Sequence, residues 1–373
     1  MRKTAIIVLA SLIHASCSVR ETPDVRGSTA VAGKIPVPAI EFSPEHYTCY
    51  RAGEMTVDGE ITDEEWSAAP WSNLFTDIEG ELKPAPLYDT RMKMLWDDSH
   101  LYIAAELKEP HIRATLRQRD TVIFHDNDFE VFIDPDGDTH GYYEFEMNAF
   151  NTVWDLLLTM PYRDNGRAID AWDIAGLKSA VKIYGTLNDP SDIDEKWTLE
   201  IAFPFAVLEE WGEMPADGTV WRMNFSRVNW KRKTENGRYL KETDCETGKP
   251  LPEYNWLWSP QGLINVHYPE MWGFVQFNSG GGTGKQEPFF MDHDEMVKWE
   301  LRQLYYAQRA LSADKGGYAS DAELLEEYGY TPSSSEPHIT VTLSGYEAAL
   351  PDSEGNSIIC IDHRGMTWKQ AAK

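Results

Sequence analysis

The chain has 373 residues, with 61 Asp and Glu against 34 Lys and Arg, a net charge of −27. That field repels phosphate backbones and leaves no basic stripe, which argues against nucleic acid, anionic membrane surfaces and strongly anionic polysaccharides as partners and leaves neutral glycans as the easier ligands. The 14 Trp and 17 Tyr exceed what a core of this size needs, so some are expected to face a ligand.

Arg2 and Lys3 precede an apolar run from Ala5 to Ile13, too short to span a bilayer, which reads as an export signal over residues 1–16. It runs into His14-Ala15-Ser16-Cys17, small residues directly before a cysteine. This resembles the lipobox of bacterial lipoproteins, with His14 where that pattern usually has Leu. The resemblance implies that Cys17 is lipidated and becomes the mature N-terminus, placing the protein in the cell envelope as an outer-membrane lipoprotein or in the periplasm. Residues 17–44, rich in Thr, Pro, Gly and Val and without a period, read as a tether.

From 45 to 278 the chain is a series of period-two runs separated by Gly, Pro, Asp and Asn, the pattern of an antiparallel β-sandwich. Met92, Met94 and Trp96 share one face, as do Leu101, Ile103, Ala105 and Leu107. Phe129, Val131 and Ile133 repeat the scheme, followed by Tyr143, Phe145 and Met147, then Trp197, Leu199, Ile201 and Phe203, and finally Trp221, Met223 and Phe225. The opposite positions, Glu130, Glu144, Glu146, Asn148, Glu200, Arg222 and Asn224, are expected on a solvated polar face. Short helices are predicted around Trp66 and after Pro204.

Residues 279–288, with three consecutive glycines at 280–282, read as a flexible linker. Beyond it, residues 289–373 form a small α+β appendage. Val297, Leu301, Leu304, Gln308 and Leu311 fall at helical spacing. Ser320 and Glu323 read as a capping box for a helix ended by Gly329, and strands are predicted over Ile339–Leu343 and Ser357–Asp362. The appendage is too small for a large core of its own and is expected to pack on the sandwich. The mature chain keeps Cys49, Cys245 and Cys360, which read as buried thiols rather than a redox or zinc motif, although one disulfide pair remains open.

The strands carry a family resemblance. Val57-Asp58-Gly59 leading to Trp66, Leu95-Trp96-Asp97-Asp98, and Asn127-Asp128-Phe129-Glu130-Val131-Phe132-Ile133-Asp134 are similar to successive signatures of carbohydrate-binding module family 9. So are Tyr143-Glu144-Phe145 with Asn148, Asn151-Thr152-Val153-Trp154-Asp155, the run from Trp197 to Pro204, and Arg222-Met223-Asn224-Phe225-Ser226-Arg227. Together these segments cover roughly residues 47 to 278. The resemblance implies a jelly-roll-like sandwich, a sugar clamped between two Trp residues, and bound calcium.

A sugar ring needs aromatic planes for its C–H face and polar groups for its hydroxyl rim. Trp154 and Trp172 are the expected planes, with Trp256 and Trp258 in reserve. Asp155, Asn148, Glu130, Arg163 and Arg227 are the expected hydroxyl partners, the arginines through their forked donors. For calcium, Asp134, Asp136 and Asp138 crowd one turn, and Asp126 and Asp128 are the alternative pair. Two other readings stay open. Glu144 and Glu146 could serve a glycoside hydrolase, although no nucleophile elbow or HExxH motif is present. His125, Met147, Met160, His267 and Met271 could ligate haem in a related sandwich, although no CxxCH site exists.

Overall fold

The computed structural model describes residues 34–372 apart from 54, 63 and 334. The signal segment and Cys17 lie outside the described residues. In chain order the sandwich contains β1 (His46–Arg51), α1 (Glu64–Ala68), β2 (Thr76–Asp77), β3 (Thr90–Trp96), β4 (His100–Lys108), β5 (Asp128–Asp134), β6 (Tyr142–Asn148) and β7 (Val153–Leu158). It continues with β8 (Ala168–Ile169), β9 (Lys178–Tyr184), β10 (Lys196–Pro204), β11 (Val220–Asn229), the hairpin β12 (Arg232–Glu235) and β13 (Arg238–Lys241), β14 (Tyr254–Leu257) and β15 (Gly273–Gly281).

One ladder runs β8-β7-β6-β5-β11-β15-β1-β3-β4-β10-β9, with β14 joined to β11. It is antiparallel except at β1, which pairs in parallel with both β15 and β3. The ladder folds over so that its two halves enclose one apolar core, a sandwich rather than a closed barrel. Every period-two face read from the sequence points into that core: Met92, Met94 and Trp96 meet Phe129, Val131, Ile133, Phe145, Met147, Met223 and Phe225. Area removed from water is the dominant favourable term here, and alternation alone sorts the faces.

Trp256 and Trp258 also belong to this core, each about 1% exposed. Trp258 meets Phe225 edge-on with centroids 5.7 Å apart, and its ring lies so close to Gly273 that a Cβ there would sit 2.3 Å from it. Only glycine lets β15 pass the indole.

The segment read as a flexible linker is instead fixed. β15 continues through Gly281, Gln286 accepts from the Thr48 N–H at 2.8 Å, and the Tyr50 hydroxyl donates to Lys285 O at 3.0 Å. Backbone groups such as Thr48 N–H and Ala68 O are among this strap's partners, which composition does not reveal. The end of the expected tether is likewise held. Ala39 N–H donates to Gly262 O, the Tyr268 hydroxyl donates to Pro36 O, and Ile40 and Phe42 pack on the second core.

That second core joins the appendage to the sandwich, as its small size requires. The long helix α2 (His293–Lys315) packs on a four-stranded antiparallel sheet of β16 (His338–Val341), β17 (Tyr346–Pro351), β18 (Ser357–Asp362) and β19 (Thr367–Ala371). Leu301, Leu304, Gln308 and Leu311 are buried, and Leu263, Tyr268 and Met271 of the sandwich complete the cluster. The short helix before Gly329 is 3₁₀ and is capped by Asp321, which accepts from Glu323 N–H, one residue later than the predicted Ser320. Cys49 and Cys360 are buried free thiols in separate parts of the fold, whereas Cys245, expected to be buried, is exposed on the loop after β13.

Charge pairs lock this junction. Arg163 bonds Glu270 at 2.8 Å, Arg302 approaches the same carboxylate at 3.8 Å, and the Tyr306 hydroxyl donates to it. Arg222 donates to Glu270 O and bonds Glu295 of α2 at 3.1 Å. Arg163, expected to meet glycan hydroxyls, is thus an interior ion-pair partner lying 4.1 Å above the Tyr268 ring. Burial alone would raise the Glu270 carboxyl, but Arg163 and Arg302 hold it down to about 2. Burial, aided by Arg163, lowers His267 to about 3.

Both shifts are depressions, so both groups contribute stability that is lost on acidification. His267 costs stability as pH falls from 6.5 toward about 3, and Glu270 as it falls from 4.5 toward about 2. Amide exchange in α2, corrected for its intrinsic pH dependence, is therefore expected to accelerate below pH 6.5 and more steeply below 4.5. Glu270→Gln should shrink the lower step, to which Asp294 of α2, also held down to about 2, contributes as well, while lowering neutral-pH protection by about 3 kcal/mol, the range for breaking a buried pair. Unchanged α2 protection at acid pH would contradict this.

Candidate ligand-binding face

The outer face of β11-β5-β6-β7 builds the site by register. Ser226 lies opposite Glu130, Glu130 opposite Glu146, and Glu146 opposite Trp154, one straight row across four strands. Beside it run Asn224, Phe132, Glu144 and Leu156, and one step the other way Asp128 lies opposite Asn148. Cross-strand neighbours on one face sit about 5 Å apart, so these side chains share one floor.

The expectation of a solvated polar face fails here. Glu130, Glu144, Glu146, Asn148, Glu200, Arg222 and Asn224 are all buried. Trp272, Tyr142, Leu156 and Leu158 cover one end of the face, and Phe124 and Trp230 stand at the other. Alternation reports which residues share a face, and cannot report that loops later cover it.

Four carboxyl groups on this floor have no ion-pair partner among the described residues: Asp128, Glu130, Glu144 and Glu146. Burial is the main cause that pushes Glu130 up to about 7, with Glu253 adding repulsion, and Glu144 up to about 8, with Glu130 adding repulsion. Burial and then Glu130 raise Glu146, and the same causes raise Asp128. Neither oxygen of Asp128 meets full hydrogen-bond geometry, with Val228 N–H the nearest donor, and the Ser226 hydroxyl, close enough to Glu130 to hold that carboxyl down in part, also falls short of it. Glu130 and Glu144 each keep 6% exposure against 0% for Asp128 and 1% for Glu146, so solvent reaches the floor at those two. Such a floor can offer hydroxyl groups both donors and acceptors, or collect a hard cation.

Aromatic side chains form its rim. Trp154 is half-buried at the end of the row, its indole N–H donating to Asp170 at 2.7 Å. Tyr162 is 45% exposed and edge-on to His267, and burial with Glu144 and Glu146 nearby pushes its hydroxyl to about 12. Phe124 donates its N–H to Glu146 at 3.0 Å, the Trp230 indole donates to Phe124 O at 2.8 Å, and Lys241 sits 3.1 Å above the Trp230 ring. The sequence reading missed Phe124, Tyr162 and Trp230. Trp230 was recoverable, since positions 226, 228 and 230 continue one face; Phe124 lies in a 3₁₀ turn without a period.

The remaining expected site residues are placed elsewhere. Trp172 packs on Tyr143, centroids 5.0 Å apart, against the inter-sheet core, on the opposite side of the leaf from Trp154, so those two rings cannot clamp one sugar. Trp256 and Trp258 are core, which removes the reserve pair. Asp155 accepts from Arg119 and from Ile174 N–H, holding a loop. Asn148 donates to Leu116 O and Asp126 and accepts from Phe150 and Thr152 N–H, so its amide is fully used. Arg227 follows Trp221, Met223 and Phe225 on the inward face and is neutralised there by Glu109 at 2.8 Å.

The acidic clusters differ in their partners. Asp126 accepts from Thr115 and Leu116 N–H and from Asn148, which leaves it little capacity for a metal, whereas Asp128 beside it meets no donor in full hydrogen-bond geometry. Asp120, Asp155 and Asp173 converge, but Arg119 already lies among them. Asp134, Asp136 and Asp138 bring oxygens within 4.8 Å of one another, with Asp134 also accepting from Gly137 and Thr139 N–H. Of the haem candidates, Met147 lies in the inter-sheet core and Met271 in the second core, while His267 bonds Tyr142 on the outer face. Met147 and Met271 therefore lie in different cores.

A family model described as carbohydrate family 9 binding domain-like matches residues 57–249. Among solved structures, a candidate carbohydrate-binding protein from Bacteroides uniformis is 17% identical, with 63% of this chain and 100% of that one covered, at a TM-score of 0.47. A carbohydrate binding module family 9 from Caldicellulosiruptor kristjanssonii in complex with cellotriose is 15% identical over 66% of this chain and 100% of its own, at 0.40. The glucose complex from the same organism is 15% identical over 65% and 100%, also at 0.40. No curated protein matches the chain.

The placement of the tryptophans separates core from rim experimentally. Trp256→Ala should cost about 3–5 kcal/mol in chemical denaturation, as for other buried large aromatics. Trp154→Ala, half-exposed and held by one exposed hydrogen bond, should cost about 1 kcal/mol or less. Equal losses would contradict the assignment of the two rings.

Proposed function

The chain belongs to the carbohydrate family 9 binding domain-like family, and on that premise we propose that it is an exported, non-catalytic protein, lipid-anchored through Cys17, that captures a neutral oligo- or polysaccharide on the outer face of β11-β5-β6-β7. The observation that carries this reading is the row from Ser226 through Glu130 and Glu146 to Trp154, a polar floor ending in an aromatic ring. Trp154, Tyr162, Phe124 and Trp230 supply apolar planes around it, and Glu130 and Glu144 are the acids that ligand hydroxyls can reach. The acids stand side by side on one floor rather than across a gap, which favours hydrogen bonding over hydrolysis. Burying part of one indole contributes on the order of 1–2 kcal/mol. Two planes with hydrogen bonds then support affinities from roughly millimolar to micromolar.

Calcium is part of the proposal. The donor set at Asp134, Asp136 and Asp138 fits it, being hard carboxylate oxygens within 4.8 Å on one turn. An ion held there would neutralise the turn, where burial and Asp136 push Asp138 up to about 7.

Affinity electrophoresis of the full-length protein through gels containing neutral glycans tests the binding. Retardation is expected in at least one glycan, weakened about tenfold by Trp154→Ala or Trp230→Ala, the loss of one stacking plane. No retardation in any gel overturns the reading, as does release of reducing sugar abolished by Glu144→Gln. Cys17→Ser is expected to move the exported protein from the membrane to the soluble fraction.

A further inference from the structure

The hairpin of β12 and β13 sets two cations against each other. Arg232 and Lys241 are directly opposite in register, on the face they share with Thr234 and the buried Tyr239. Like charges so placed sit about 5 Å apart and repel. Arg113 stands close enough to repel both, its guanidinium donating to Tyr239 O. All three are half-buried, and none forms an ion pair among the described residues. Elsewhere such cations are answered: Arg227 meets Glu109 at 2.8 Å and Arg91 meets Glu106 at 2.9 Å. In a chain with 61 acidic residues against 34 basic ones, neighbouring cations left unpaired run against the composition.

The carboxylates nearby are already engaged. Glu109 accepts from Arg227 and Asn127, and Asp126 accepts from Thr115 and Leu116 N–H and from Asn148. Glu253 attracts Lys241 without pairing with it. Arg232 donates to Asn127 Oδ1 at 2.8 Å, while its Nε is buried without an acceptor. Lys241 lies 3.1 Å above the Trp230 ring, whose face attracts the ammonium but offers no lone pair to its three N–H groups. Burial and then Arg232 lower Lys241 to about 8, and burial with Arg113 lowers Arg232 to about 10, so both stay charged at neutral pH. The cluster is tied to the ligand face: Trp230 N–H shares Asn127 Oδ1 with Arg232, and the Trp230 indole donates to Phe124 O.

We propose that Arg232, Lys241 and Arg113 form a subsite at the Trp230 end of the glycan-binding face that takes the carboxylate of a uronic acid residue in an otherwise neutral glycan. This rests on the reading of that face as the glycan site and narrows its ligand. A carboxylate has two acceptor oxygens, which a guanidinium fork and an ammonium can share across the hairpin. Carried on a sugar ring, it lets one residue lay its C–H face against Trp230 and its charge against the cations. The net charge of −27 still repels a densely charged polyanion, so an isolated acidic sugar is the form that the molecule admits. The acids of the floor serve uncharged hydroxyls, and the cations at its end serve the charged residue.

Calorimetric titration of the full-length protein with short oligomers of glucuronate, galacturonate and mannuronate, each beside its carboxyl-reduced neutral counterpart, tests the subsite. At least one acidic oligomer is expected to bind about tenfold or more tightly than its reduced counterpart, the scale of a charge-assisted hydrogen bond. Lys241→Met keeps the apolar stem on Trp230 and is expected to bring that ratio to about twofold or less, whereas Lys241→Arg should retain it. The ratio in wild type stands as a test even where a variant fails to fold. Equal affinity for every acid and its counterpart overturns the subsite and leaves the glycan reading intact, as does a ratio that survives both Lys241→Met and Arg232→Gln. Sodium acetate bound as tightly as the acidic oligomer overturns the sugar as the source of the carboxylate. A sulfated oligomer bound more tightly than the carboxylated one overturns the choice of acid. Failure of every acidic and neutral oligomer to bind, together with no retardation in any glycan gel, overturns the glycan reading itself.

Discussion

The leaf of β7, β6, β5 and β11 is buried on one face and covered over most of the other, leaving an opening near Glu130, Glu144, Trp154 and Tyr162, and the rest of the molecule is arranged around that constraint. An antiparallel sheet normally packs one face and wets the other, so its polar face needs no partners beyond water. Here loops and the C-terminal unit cover the second face, and each polar side chain on it has to be answered from within the protein. At one end the charges are paired: Arg222 reaches Glu270 O and Glu295, and Arg163 bonds Glu270. In the middle they are not, and Asp128, Glu130, Glu144 and Glu146 have no ion-pair partner among the described residues, burial driving their carboxyls up.

That contrast divides two kinds of environment on a single surface. Buried ion pairs such as Arg163–Glu270 and Arg227–Glu109 are weak evidence for net stability, but removing one partner is costly, so they hold their elements in one arrangement. The C-terminal unit is docked by such pairs together with the second apolar core. Unanswered carboxyls do the opposite. Their cost is carried by the fold, and a ligand or ion that relieves it gains affinity from the same imbalance.

Much of the fold was legible in the residues. Period-two alternation identified the inward faces of β3, β4, β5, β6, β10 and β11, and the apolar spacing from Val297 to Leu311 located α2. Strands β17 and β19 were missed, because Tyr346–Pro351 is rich in Ala and ends in Pro and Thr367–Ala371 has few apolar residues, so neither shows a clear strand signal. The site was legible only in part. Glu130 and Trp154 were named and do share a row, whereas Arg163, Arg227 and the Trp256–Trp258 pair were taken for ligand contacts and serve the interior. Arg and Trp are the residues that both buried junctions and binding sites recruit, and composition does not distinguish the two uses.

The sequence by itself determined the fold class, the acidic field that disfavours nucleic acid, and the inward set of side chains, because each depends on local period or on summed charge. Only the tertiary structure decided what lies over the outer face, which arginines meet carboxylates, and that Phe124 and Trp230 stand beside Glu146. These depend on contacts between residues about twenty to more than a hundred positions apart, and no local pattern encodes which distant loop will exclude water from a given strand.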